Sequence, residues 1–271
     1  MTAPKPVVYT HGHQESVLRS HRSRTVENSA GYLRDRLEPG RSVLDIGCGP
    51  GTITADLAEL VGPGGRVVAA DASAEVLDAA AAYVAGRGLS NVVFEVADVH
   101  RLPYADGEFD VVHAHQVLQH VADPVGALRE LRRVVAEDGV VAVRDVDYAT
   151  MAWYPQTPGL DRWLELYRRI ARRNGGEPDA GRRLLSWARA AGFTDVTATS
   201  STWTYATPGQ RAWWGGMWAD RITDSAIART AVAEGYADEA ELARIAAGWR
   251  EWAAADDGWF AMVHGEVLAR R

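Results

Sequence analysis

Cysteine is nearly missing from this chain of 271 residues: Cys48 stands alone, which excludes an internal disulfide and fits a reducing compartment. Positive charge is also short. Lys and Arg number 29 against 36 Asp and Glu, for a formal charge of −7, so the basic face that a nucleic-acid polyanion requires is lacking. No apolar run is long enough to span a bilayer, and the opening Met1-Thr2-Ala3-Pro4-Lys5-Pro6 carries no apolar stretch of the kind a signal peptide uses. Repeats and low-complexity tracts are absent, and His11, His13 and His21 are accompanied by no carboxylate or cysteine pattern of a metal site. These absences predict a cytoplasmic protein with no metal, no membrane span and no nucleic-acid partner. What is present suits a globular chain with a real core, since 47% of residues are hydrophobic.

The stretch Val43-Leu44-Asp45-Ile46-Gly47-Cys48-Gly49-Pro50-Gly51-Thr52 reads as an apolar strand running into a glycine turn and then a helix. Glycines there let the backbone turn sharply and approach a ligand closely, so a nucleotide-like cofactor is expected on the turn. The dinucleotide fingerprint places a pyrophosphate at such a helix start. Here the third glycine comes one residue early, and Asp45 would repel a phosphate. S-adenosylmethionine, an adenosine carrying an ammonium and a sulfonium but no phosphate, suits a carboxylate and turn carbonyls better. Asp71, followed by Ala72, ends the next apolar run at the distance where an acid holds ribose hydroxyls. A third run ends in Ala97-Asp98-Val99, offering a carboxylate for the adenine amino group and a backbone N–H for a ring nitrogen. A fourth, Phe109 to His115, points its carboxyl end at the same crevice.

On these residues, positions 41 to 146 resemble the core of a class I S-adenosylmethionine-dependent methyltransferase. Val117-Leu118-Gln119-His120-Val121 is similar to the small-molecule branch that holds the ubiquinone and menaquinone C-methyltransferases. The nucleic-acid base methylases carry Asn/Asp-Pro-Pro-Tyr/Phe at the fourth strand's end, where this chain has His115-Gln116-Val117-Leu118. The opening segment around Tyr9 resembles the N-terminal helix that covers the cofactor in this branch. The resemblance implies an α/β fold, a Rossmann-like seven-stranded sheet with helices on both faces and an antiparallel last strand. It implies a cofactor site of Tyr9, Asp45, Gly47, Cys48, Gly49, Gly51, Asp71, Ala72, Ala97, Asp98, Val99 and His115.

Strand and helix patterns alternate from about residue 42 to 146, as in βαβ units. Helices are expected at 52–61, 73–86, 124–135, 161–173 and 182–191, strands at 139–146 and 193–199, and a last strand at 259–268, antiparallel at the sheet's end. Between the last two strands lies an insertion with helical patterns at 207–220, 224–234 and 238–254 and the dense indoles Trp213, Trp214, Trp218, Trp249 and Trp252. The resulting division is a helical cover over 1–38, a core over 39–204 and 258–271, and a lid over 205–257.

Methyl transfer from a sulfonium needs alignment and exclusion of water more than bond-making by the protein. A hydroxyl acceptor also needs a base, and His115 at the fourth strand's tip is the candidate, with an acid limb near the histidine range in the pH profile. His113, on the same face but deeper, reads as a satisfied interior residue. Acceptor contacts are expected from His115, His120, Asp147, Tyr148, Trp153, Tyr154, Trp214 and Trp218. The expected activity is methyl transfer to a small organic acceptor. The alternatives are a protein of this fold that binds the cofactor without transferring methyl, as a cyclase would, and an NAD-dependent dehydrogenase.

Overall fold

The computed structural model describes residues 20–271; the expected Tyr9, His11 and His13 positions lie outside them. A short helix α1 (Val26–Ser29), capped by Thr25, leads into a 3-10 turn over Gly31–Arg36. Alternation then follows the apolar periodicity: β1 (Ser42–Ile46), α2 (Thr52–Val61), β2 (Arg66–Asp71), α3 (Ala74–Gly86), β3 (Val92–Val96) and β4 (Phe109–His115). Helix α4 (Pro124–Val134) starts on an Asp123 cap with proline at its first position, where the missing N–H costs nothing. It runs straight into β5 (Val135–Val146), which therefore begins four residues before the expected 139, with a register irregularity against β4 between Phe109 and Val111.

Beyond β5 come a three-residue β6 (Ala152–Tyr154), which no alternation foretold, α5 (Pro158–Arg173), α6 (Leu184–Ala190) and β7 (Asp195–Tyr205). Three insertion helices follow, α7 (Pro208–Thr223), α8 (Ala226–Ala233) and α9 (Glu239–Ala254), and the chain closes with β8 (Trp259–Arg270). The sheet has eight strands. Its path is β3-β2-β1-β4-β5-β8-β6, with β7 on the other edge of β8. The last strand is antiparallel as expected but does not end the sheet: it lies between β5 and β7, pairing Val140–Val146 on one side and the whole of β7 on the other.

Parallel pairing of β1, β2 and β4 sets Ile46 beside Ala70 and Ala114, so these strands finish together. One apolar layer joins α4 and α6 to one face, and another joins α1 and α2 to the opposite face. A third core lies under the insertion, where Trp163, Trp249 and Trp252 are fully buried together with Trp218 and Phe260. Each such indole removes about 150–250 Å² from water, roughly 4–6 kcal/mol before the entropy of ordering it is counted. Helices α5 and α9 meet at Gly159 and Gly248, where a Cβ on either would lie within 3 Å of the other's backbone. The insertion is thus packed onto the body of the molecule.

Candidate cofactor and acceptor site

The carboxyl ends of β1 to β4 open onto a cleft of about 600 Å³. Gly47, Cys48 and Gly49 form its rim, and both Gly47 and Gly49 have positive φ, at 70° and 55°. A Cβ on Gly47 would fall 2.4 Å from Val117 Cγ2, whereas beside Gly49 there is open space. Side-chain bulk is thus excluded at one glycine, and the other leaves its backbone open to a ligand. Gly51 does different work. It precedes α2 with φ 78°, and a Cβ there would meet the backbone of Ala80 in α3, so it is placed for helix packing and does not line the cleft.

Asp71 Oδ2 accepts from the Gly49 N–H at 3.2 Å and Oδ1 from the Ser73 N–H at 3.1 Å. The carboxylate is thereby held at the cleft wall with lone pairs left over, as a ribose diol requires. Asp98 is more open. Its Oδ1 takes both the His100 N–H at 2.9 Å and the His100 ring at 3.0 Å, and the first of these bonds holds its carboxyl below the usual range. Ala72, Ala97 and Val99 line the same wall. Asp45 also borders the cleft but is only 2% exposed: Thr54 Oγ1 donates to its Oδ2 at 2.6 Å, and His113 Nδ1 lies 2.8 Å from its Oδ1. It ties β1 to α2 and β4. Burial pushes the Cys48 thiol far up, so this side chain packs and does not attack.

His115 closes the inner end of the cleft. Both of its ring nitrogens are buried with no hydrogen-bond partner. Burial holds it well below the usual histidine range, with Arg24 and Arg144 pushing the same way. An acid limb near the ordinary histidine range is therefore not expected; it moves to lower pH. His120, on the 3-10 turn over Leu118–His120, lines the cleft too and is held down to about 3 by burial.

The other expected acceptor contacts are not brought to this cleft. Asp147 receives Arg182 Nε and Nη2 at 2.5 and 2.8 Å, and its charge is consumed by that pair. Tyr148 stacks on Tyr167 at 4.0 Å, Trp153 on Phe260 at 6.0 Å, and Trp214 on Tyr205 at 4.3 Å. Trp218 is wedged against Trp163 at 4.6 Å, and Tyr154 is exposed at the surface. Tyr148, Trp153, Trp214 and Trp218 build the third core through these ring contacts.

Sequence reasoning missed Arg24 and Gln116, which line the cleft, and the neighbours of His115 above it, Trp203 and His264. One signal was available. His264 and Glu266 alternate on one face of an apolar strand, where polar groups are out of place unless they are used. The glycine rim, the paired bonds of Asp71 and the unpartnered nitrogens of His115 fit an adenosyl sulfonium with an acceptor beside it.

The methyltransferase domain family matches residues 37–191. An uncharacterized methyltransferase of Schizosaccharomyces pombe is 31% identical, covering 97% of this chain and 96% of that one. A probable methyltransferase of Aspergillus luteorubrus, ltbC, is 28% identical, with 96% of each chain covered. The YcgJ protein of Bacillus subtilis shares the fold, with a TM-score of 0.56 at 20% identity over 89% of this chain and 97% of that one. The chain belongs to the methyltransferase family and is an S-adenosylmethionine-dependent methyltransferase.

Proposed function

We propose that the protein methylates a small organic acceptor bound against His115, with no nucleic acid involved, and that the unpartnered, buried ring of His115 carries this reading. The bound cofactor supplies an electrophilic methyl group on a positively charged sulfur. Asp71 holds the ribose, Asp98 and the Val99 backbone the adenine edge, and the Gly47–Gly49 rim the aminoacyl end. Asp45 and Asp71 surround that end with negative charge, which favours a cation over a phosphate. His115, kept neutral, accepts the acceptor's proton, and its desolvated position keeps water from competing for the methyl. The segment over 1–38 acts as a cover, which the placement of His21 and Arg24 on the cleft supports. Residues 205–257 act as a lid behind this cover, which Arg221 Nη2 donating to Ser20 Oγ at 2.8 Å supports by tying the insertion to the N-terminal segment.

The test is a panel of phenols, enols, amines and alcohols incubated with the enzyme and S-adenosylmethionine and read by mass spectrometry. A gain of one methyl group is expected on one class. His115→Ala lowers its rate about 100-fold, the scale of general-base assistance, with cofactor affinity little changed. Undiminished turnover in His115→Ala would remove the ring from the reaction.

A further inference from the structure

Buried polar atoms almost always have partners, and an orphan beside a cleft marks where a ligand can supply one. His115 lines the cleft, and behind it, away from the lining, the Nδ1 of the fully buried His264 is also without a partner. The two rings lie 6.4 Å apart at an interplanar angle of 25°, and the half-buried Trp203 stands against both, at 5.9 and 4.4 Å.

The proton on His264 follows from its neighbours. Arg24 Nη2 donates to Gln116 Oε1 at 3.0 Å, which turns the amide so that its NH2 faces His264 Nε2, 3.1 Å away. That nitrogen must accept, so in the neutral ring the proton sits on Nδ1. Burial, with Arg144 and Arg24 nearby, keeps the ring neutral. His264 therefore presents an unused N–H donor beside the unused His115.

We propose that His115 and His264 together bind the oxygen of a planar, acidic hydroxyl, a phenol or an enol, and that the acceptor reacts as its oxyanion. His264 Nδ1–H donates to that oxygen. The acceptor's O–H bond breaks, its proton bonds to a His115 nitrogen, and the electron pair stays on the acceptor, shared between oxygen and conjugated ring carbons. This deepens the methyltransferase reading and rests on it.

Two observations select this class. Arg24 and Arg144 set positive charge around the pair, while of the acids that share these arginines Glu266 is engaged by Arg144 at 3.2 Å and Thr199 at 2.9 Å and Asp145 is pushed up to about 7 by burial. An anionic oxygen is favoured there and an ammonium is not. An imidazole held neutral takes a proton more readily from an acidic phenol or enol than from an aliphatic alcohol. Trp203 holds the charge in place: the Arg144 and Arg24 guanidinia lie 4.9 and 6.0 Å from its ring centroid, and its indole N–H donates to the Asn28 carbonyl at 2.7 Å.

The test uses 4-nitrophenol and 7-hydroxycoumarin, whose ionisation is visible by absorbance and fluorescence, titrated onto the enzyme saturated with S-adenosylhomocysteine. At least one is expected to bind as its anion at a pH where the free molecule is mostly protonated. His264→Phe should weaken that binding about 10- to 100-fold, the loss of one hydrogen bond to a charged oxygen. Gln116→Glu presents a carboxylate that accepts a hydrogen bond from His264 Nε2–H, moving the ring proton from Nδ1 to Nε2 and inverting the tautomer. The same loss is expected, with S-adenosylhomocysteine binding kept and the switch seen in the histidine 15N shifts. The proposal is overturned if neither probe binds, if bound probes titrate as when free, or if both folded variants bind the anion like the parent. Failure of the parent enzyme to bind S-adenosylhomocysteine would overturn the methyltransferase reading instead.

Discussion

Three histidines, His115 and His264 in the interior and His120 at the cleft, set the response of the fold to acid. His115, His120 and His264 are all held below the ordinary value of 6.5 by burial, His120 to about 3. Folded, they stay neutral; unfolded, each takes up a proton as pH falls through that value. Their stabilisation is complete above it and is lost on the way down. Asp145 acts in the opposite sense. Burial pushes it up to about 7 from 3.8, so it gives up a proton on unfolding between those values. Three protons taken up against one released leaves a net uptake that is below one at pH 6.5, where the unfolded histidines are half charged, and grows to about two near pH 5, a slope there of roughly 2.7 kcal/mol per pH unit at about 1.4 per proton. Urea unfolding between about pH 6.5 and 5 should show stability falling with pH on this scale, and a flat profile would mean that the rings are charged in the fold. The acids were legible in the sequence because each ends an apolar run. That Thr54 and His113 occupy Asp45 was not, since His113 meets it only when β4 pairs beside β1.

Among the elements, the insertion helices were legible from 3.6-residue periodicity and cap residues, each starting on a Thr207, Ser225 or Asp238 cap. Their indoles could not be assigned, because periodicity shows a helix's apolar face and not what that face meets. The meeting of Trp203 with His264 was hidden for a related reason. It depends on the β7–β8 register, which sets Ser201 beside His264 and Trp203 beside Met262 across a long insertion. With its dense aromatic core, the insertion should move as a unit when it admits an acceptor. Hydrogen exchange in 205–257 should slow more with S-adenosylhomocysteine plus a bound acceptor than with the cofactor product alone. Equal protection in both would make these helices scaffold only.

At the scale of the whole molecule, two halves of the sheet divide the work. The parallel half, β1 to β4, gathers backbone turns and carboxylates at one cleft for the cofactor. The half built on β5, β7 and β8 brings Arg144, Trp203 and His264 to the far side of His115. No helix among the described residues is long and apolar enough to cross a membrane. On the proposed reading the cleft selects an adenosyl sulfonium through Asp71 and the glycine rim. Thermal unfolding with S-adenosylmethionine, S-adenosylhomocysteine and NAD, each on the parent chain and on Asp71→Ala, tests this selection. The first two should stabilise the parent by roughly 2.7 kcal/mol at about 100 times their dissociation constants. Asp71→Ala should lose most of that gain, because the ribose loses a charged acceptor worth roughly 1.5–3 kcal/mol per hydrogen bond. Stabilisation by NAD alone, or a full response in Asp71→Ala, would contradict the account.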